Sequence, residues 1–285
     1  MNLDPEKPDP ADVAQYLSFL HRVKHFAPRT IKLHKSVIAT MGDPLRREEI
    51  SSHPLVKHII RVIENSHPSS SKKCIWDVEQ LIAWMKTSVI NEDSLFEVSR
   101  HVALHLLLAS GRRIHDLTLL RIDDDHLKLS EDSVTFWPVY GSKTDKINHQ
   151  QSGWHLSKGS IKSLDPIYWT KRLIDLSASR RQARNKLTSL FVSTRGIVKS
   201  ATRATIAGWV KSALKHLGID FSPGSIRSAV ASSRQENNVP LDIIIKNGNW
   251  KSNKNIFKFY FKEIIKKTSG AHPVNDLVCS NFKAI

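Results

Sequence analysis

Cysteine is nearly absent. The 285 residues hold two, Cys74 and Cys279, too few and too far apart for a disulfide framework or a recognisable zinc spacing. A reducing compartment suits such a chain. Long apolar runs are missing too: the best stretch, around residues 102–109, is interrupted by His105 and too short to span a bilayer. The opening MNLDPEKPDP is charged and proline-rich, without the apolar core of a secretory signal. These absences lead us to expect a soluble intracellular protein with no membrane partner, no metal and no cofactor. Acidic residues are also scarce, 27 Asp+Glu against 43 Lys+Arg, for a net charge of +16. That surplus should draw the chain to a polyanion, with nucleic acid the first candidate. Composition does not separate DNA from RNA or from an anionic membrane surface.

What is present is enough for a sizeable core. Hydrophobic residues make up 40% and charged ones 25%, so global disorder is not expected. The length suits one large domain, or a small one followed by a larger one. After a flexible arm, VAQYLSFLHRV places Val13, Tyr16, Leu17 and Leu20 on one helical face, with Asp9 as cap and Pro10 at the first helical position. Pro28 interrupts. A second helix, RTIKLHKSVIATMG, interleaves Lys32, His34 and Lys35 with apolar residues, and PLVKHIIRVIENS forms a third. Residues 1–66 therefore read as a compact helical module whose basic face is either solvated or DNA-facing. The segment 67–75, with its serine run and Lys72 and Lys73, reads as a basic flexible linker.

Residues 76–285 read as a second, mostly helical domain with a small antiparallel sheet. Asp77 with Gln80 and Ser94 with Glu97 have capping-box spacing, and Trp76 can staple onto Leu81. Gly111 ends the helix begun at Ser94. A short helix then carries Arg113 and Asp116, which at i, i+3 can pair. HLKLS, SVTFWPVY and the end of KINHQQSGWHL alternate like strands, with Val134 and Phe136 on one side; His149 and His155 share strand parity. Asp165-Pro166 starts a helix. LFVST is a short buried strand or extended segment, and ATIAGWVKSALKHLG is an amphipathic helix ending at Gly218. Ser222-Pro223 caps a helix with Arg227, Gly248 closes the next one, and NIFKFYFKEIIKK makes a last helix with Tyr260. The basic run 177–186 reads as an exposed helix end, a nuclear-import signal or a phosphate contact, the first being favoured.

Taken singly, the charged groups have ordinary explanations. Arg113–Asp116 is a surface ion pair, Lys143 a solvated turn charge, and Trp250 and Tyr260 core aromatics. Together they could do more. Attack on a phosphodiester builds charge on its non-bridging oxygens, and two arginine forks aimed there would stabilise it. A lysine could protonate the departing 5′-oxygen, an indole N–H could bond a phosphate oxygen, and a tyrosine could form the covalent link.

That order of parts resembles the catalytic domain of tyrosine recombinases, the phage-integrase family, over about residues 76–265. GRRIHDL resembles the first family box, which implies a catalytic role for Arg113 rather than Arg112, with Asp116 in support. GSKTDK is similar to the β-turn lysine segment, assigning Lys143 over Lys146, the latter left as a DNA contact with Lys32, Lys35, Lys72 and Lys73. SPGSIRSAVAS resembles the second box and carries Arg227; NGNW resembles the third, with Trp250 in place of the commoner histidine; FKFY ends at the nucleophile position, Tyr260. The resemblance implies an N-terminal DNA-clamping lobe, a metal-independent breaking-rejoining enzyme on double-stranded DNA, and a tetrameric assembly. The phrases WDVEQL, GSKTD, QSGW and GNWKS are most similar to recombinases of DIRS-type retrotransposons, implying a mobile element and a nuclear location. One position departs: Gly224 stands where the second box has histidine, and Ser222, Ser225 or a water would have to substitute. Two other readings stay open, a DNA-binding protein that no longer cuts and a type IB topoisomerase.

Overall fold

The computed structural model describes residues 8–41, 46–67, 74–148, 150–182, 187–251, 256–257 and 260–265, and the backbone of 282–284. The chain divides into two compact units, Met1–Lys72 and Lys73–Ile285. Among the described residues no helix is long and apolar enough to cross a membrane.

The first unit contains α1 (Pro10–Arg22), α2 (Pro28–Met41), α3 (Arg47–Ser52) and α4 (Pro54–Ser66). Helix α1 starts where the sequence places it: Asp9 accepts from the Ala11 N–H at 2.7 Å, and Pro10 has no N–H to leave unpaired. Pro28 does not interrupt but opens α2, for the same reason. The short α3 was not anticipated, and the His53 ring caps α4 by accepting from Leu55 N–H. Leu17, Leu20, Ile31, Ile50, Val56 and Ile63 form the core. Two lysines assigned to DNA have partners inside this unit. Lys32 is ion-paired with Glu64, and Lys35 donates to the Ser51 carbonyl at 2.9 Å. Lys72 and Lys73 lie outside the described residues.

The second unit begins with strand β1 (Cys74–Trp76) and α5 (Glu79–Thr87), followed by α6 (Leu95–Ser110). The Asp77–Gln80 capping box does not form: the Asp77 carboxylate accepts from Glu79 N–H, and α5 begins there. Ser94 does cap α6, accepting from Glu97 N–H, while the Glu97 carboxylate turns to Asn91 N–H instead. Helix α6 is buried all round from residue 101 to its end and forms the central post of the unit. Each large apolar side chain sealed there is worth about 1.5–3 kcal/mol.

Beyond α7 (Ile114–Leu117), an antiparallel sheet is built from β2 (Leu127–Leu129), β3 (Ser133–Phe136) and β4 (Trp154–Ser157), as the alternation foretold. Val134 and Phe136 face the core, opposite Leu156 and Trp154. His155 bonds the Thr135 hydroxyl, a structural role; His149 lies outside the described residues. Helices α8 (Pro166–Gln182), α9 (Arg203–His216), α10 (Ile226–Glu236) and α11 (Leu241–Gly248) complete the layers around α6. Asp165 caps α8 through Ile167 N–H. LFVST is extended and buried, joined by an isolated bridge from Val192 to Ser200.

Three local expectations are corrected. Within 177–186, Arg181 is not an exposed helix end: its guanidinium is buried and donates to the Leu187, Ser189 and Leu190 carbonyls. A 3-10 turn, Pro223–Ser225, stands between Ser222 and α10, and Ser222 makes no side-chain cap. The last helix is not continuous. Ile256 and Phe257 are helical, but Glu263–Ile265 forms strand β5, parallel to β1. The β-branched pair Ile264–Ile265 gains more from pairing with β1 than from extending a helix, and Ile264 packs on the main core. The C-terminal β6 (Phe282–Ala284) pairs with β4, an edge pairing that the sequence pattern does not announce.

Candidate active site

Four segments meet where α6 ends. Gly111 takes φ +65° to close that helix, its N–H bonding Leu107, a backbone shape that favours glycine. The last carbonyls of α6 would otherwise be orphans at the negative end of the helix. Helix α10 supplies their partners, with Arg234 donating to Ala109 and Arg227 to Gly111 at 2.7 Å. The same Arg227 nitrogen, Nη1, also reaches the Gly248 carbonyl at 2.7 Å, tying α11 to the junction.

Arg227 is only 4% exposed, yet its Nε and Nη2 have no partner of hydrogen-bond geometry. Its guanidinium lies over the Trp250 ring at 3.8 Å and 5.1 Å from the Tyr260 ring centroid. The two rings meet edge to face at 5.2 Å. Burial, and next to it the charge of Arg113, lower the Arg227 pKa to about 10; the Tyr260 phenol, whose hydroxyl lies beside the guanidinium without good hydrogen-bond alignment, and Asp116 oppose that shift. The residue still carries its charge at neutral pH. The Trp250 indole N–H is buried and unpartnered, and so is Nη1 of Arg113. An arrangement of unsatisfied buried donors around two cations costs free energy unless an anion with several acceptor oxygens arrives.

Gly248 makes this packing possible. A Cβ there would lie 1.6 Å from the Trp250 ring. Gly224 is the opposite case: nothing lies within 4 Å of a Cβ added to it, so the histidine position is open space. Of its neighbours, Ser225 is engaged, its hydroxyl accepting from the Trp76 indole at 2.8 Å.

Arg112 and Arg113 part company at once. Arg112 is 1% exposed, and each of its three guanidinium nitrogens has a partner. It donates to the Asn247 carbonyl, the Gln151 side chain, and the Ser152 carbonyl and hydroxyl, and stacks on Trp154 at 4.9 Å. Burial lowers its pKa to about 9. Arg113 caps α7, and Asp116 accepts from its backbone N–H at 3.0 Å rather than from its guanidinium. The expected i, i+3 side-chain ion pair is thus replaced by a backbone cap.

The turn carrying Lys143 is tightly organised although Lys143 and Lys146 themselves are exposed. Asp145 accepts from the N–H groups of Gly141, Ser142 and Gln151. Ser142 donates to the buried Asp116 at 2.9 Å, and the His115 ring bonds the Gly141 carbonyl. Asn249, just before Trp250, holds Thr144 at 2.6 Å. The structure thus brings Arg227, Trp250 and Tyr260 into direct contact, sets Arg113 close enough to act on Arg227, and joins the lysine turn to Asp116. Sequence reading missed Asn249, gave Arg112 no role, and saw Gly248 only as the end of a helix. The one available signal was that Ser142 and Thr144, flanking Lys143, share a face opposite to it.

The phage integrase family model matches residues 76–264. Comparison with curated protein sequences gives no match. Among solved structures, the Tn1549 transposon integrase in complex with transposon right end DNA is 14% identical, with a TM-score of 0.57 over 94% of this chain and 82% of that one. The XerH site-specific recombinase bound to palindromic difH substrate, a post-cleavage complex, is 11% identical, with a TM-score of 0.52 over 90% and 67%. At these identities the likeness is one of fold, a mostly helical domain with a small antiparallel sheet. The family match, covering well over half of the chain, settles membership: this protein belongs to the phage integrase family of tyrosine recombinases.

Proposed function

We propose that the protein breaks and rejoins double-stranded DNA through a 3′-phosphotyrosyl intermediate on Tyr260. The observation that carries this reading is the group of buried, unpartnered donors around Arg227: its Nε and Nη2, the Trp250 indole N–H and Arg113 Nη1. A scissile phosphate offers the acceptors these groups lack. Tyr260 Oη attacks phosphorus, the bond to the 5′-oxygen breaks, and Lys143 gives that oxygen a proton. The phenol proton leaves to water in the open space beside Gly224. Arg113 and Arg227 hold the non-bridging oxygens, where charge builds in the transition state. Rejoining is the reverse, with a DNA 5′-hydroxyl as nucleophile. Lys146 and the basic face of the helical unit, with Lys32, Lys35, Lys72 and Lys73, contact the DNA backbone.

At the finer level, we assign the chain to a DIRS-type mobile element, acting in the nucleus as a tetramer on two duplexes; the motif resemblance supports this. Division into a helical DNA-clamping lobe (1–66), a linker (67–75) and a catalytic domain (76–285) goes with it.

A second reading is favoured by Gly224. Without a histidine there, the chain would bind DNA and leave it intact. One experiment separates the two. A pool of end-labelled nicked duplexes with randomised core sequence is incubated with protein in EDTA and run on a denaturing gel. The enzyme reading expects a protein-linked band that Tyr260→Phe abolishes. Binding without that band establishes the silent binder, and Gly224→His, which fits sterically, should then raise adduct formation by about 10²-fold or more.

A further inference from the structure

Lys143 is flanked by two hydroxyl residues whose side chains turn inward while its own turns out. Ser142 and Thr144 are each 5% exposed. Their hydroxyls lie 3.2 Å apart and sit in a chain of hydrogen bonds with one possible direction. Asp116 Oδ1 accepts from Ser142 Oγ, so Ser142 must spend its proton there. It can then only accept from Thr144, which in turn accepts from Asn249 Nδ2 at 2.6 Å. The relay runs from amide to hydroxyl to hydroxyl to carboxylate, each group polarising the next, and its far end also takes the Arg113 backbone N–H. Asn249 is itself fixed in the left-handed region at φ +53°, its N–H bonded to the Lys246 carbonyl.

We propose that Asn249 is a positioning residue: through this relay it latches the lysine turn to the segment bearing Trp250 and to the cap of Arg113. Seating of the tryptophan segment and presentation of Lys143 then rise and fall together. The catalytic part of this inference rests on the function proposed above; the latch does not.

Two readouts keep the parts separate. The first is tryptic nicking of the free, full-length protein at Lys143 and Lys146. Asn249→Gly removes the amide and keeps the left-handed backbone, and Thr144→Val keeps the shape but loses the hydroxyl. Each should speed nicking about five- to tenfold, the worth of one partly buried hydrogen bond, with the far-UV spectrum unchanged. Unchanged nicking in both variants overturns the latch.

The second uses the randomised nicked duplex pool made with oxygen or sulfur at the 5′-bridging position. A thiolate leaves without protonation, so a defect in delivering the Lys143 proton disappears on sulfur. Asn249→Gly and Thr144→Val should lose about tenfold or more on oxygen and regain wild-type rates on sulfur, following Lys143→Ala. A loss that persists on sulfur contradicts positioning of Lys143. If the wild type cleaves neither pool, the cleavage reading fails, and the nicking rates alone decide the latch.

Discussion

At the scale of single residues, the site is defined by what stays unsatisfied. Arg112 and Arg113 are adjacent and both near Asp116, yet Arg112 spends its donors on protein oxygens and Arg113 keeps Nη1 unpartnered. Motif spacing singled out Arg113, and of the two it is the one left with an unsatisfied donor, but spacing said nothing of why Arg112 is there. That reason is tertiary, since Asn247 and Gln151 lie far away in sequence. Gly248 was legible only as a helix stop. Its second duty, leaving room for the Trp250 ring, follows from packing. Gly248→Ala should therefore cost about 1–3 kcal/mol, measurable as a lower urea midpoint. It should also weaken DNA binding, because the Trp250 ring must move off Arg227. Wild-type stability and binding in this variant would mean that the ring is not held as described.

At the scale of elements, most helices were readable because their caps and periodicity agree, as at Asp9–Pro10, Ser94 and Asp165–Pro166. The failures fall where pairing partners are distant. Strand β5 pairs with β1 across nearly the whole second unit, and β6 with β4, so local pattern had nothing to report. Helix α6 yields a prediction of its own. His101 and His105 are buried in it, and burial lowers their pKa values to about 4 and about 3. His105 has no hydrogen-bond partner among the described residues, while His101 bonds the Ser163 carbonyl. Both stay neutral in the folded state, whereas the unfolded chain takes up protons below about pH 6.5. Stability is therefore complete above that pH and falls as the solution is acidified toward 4 and 3. At pH 5 each histidine should cost about 2 kcal/mol. Urea midpoints at pH 7.5 and pH 5 measure the slope, and His105→Met should remove about half of it.

At the scale of the whole molecule, the charge of +16 is the feature that the sequence states most openly. Its distribution was less legible. Lys32 and Lys35 looked like free DNA contacts, but each has a partner within the helical unit. Binding to a duplex should still be strongly electrostatic. If the protein neutralises about six to ten phosphates, log K should fall against log salt with a slope near −5 to −9. Titrations at several salt concentrations with Lys32→Ala should make that slope shallower by about one unit, as Lys32 exchanges Glu64 for a phosphate; an unchanged slope would keep Lys32 on Glu64. A slope near zero would remove DNA from the account altogether.

The measurement that bears most directly on the whole reading is the mass of the trapped adduct. Protein incubated with the nicked pool in EDTA is denatured, trimmed with nuclease and digested, and the peptides are weighed. The account predicts a nucleotide joined through its 3′-phosphate to Tyr260, with Tyr260→Phe giving none. A nucleotide on another residue, or no adduct while the duplexes stay tightly bound, would contradict it.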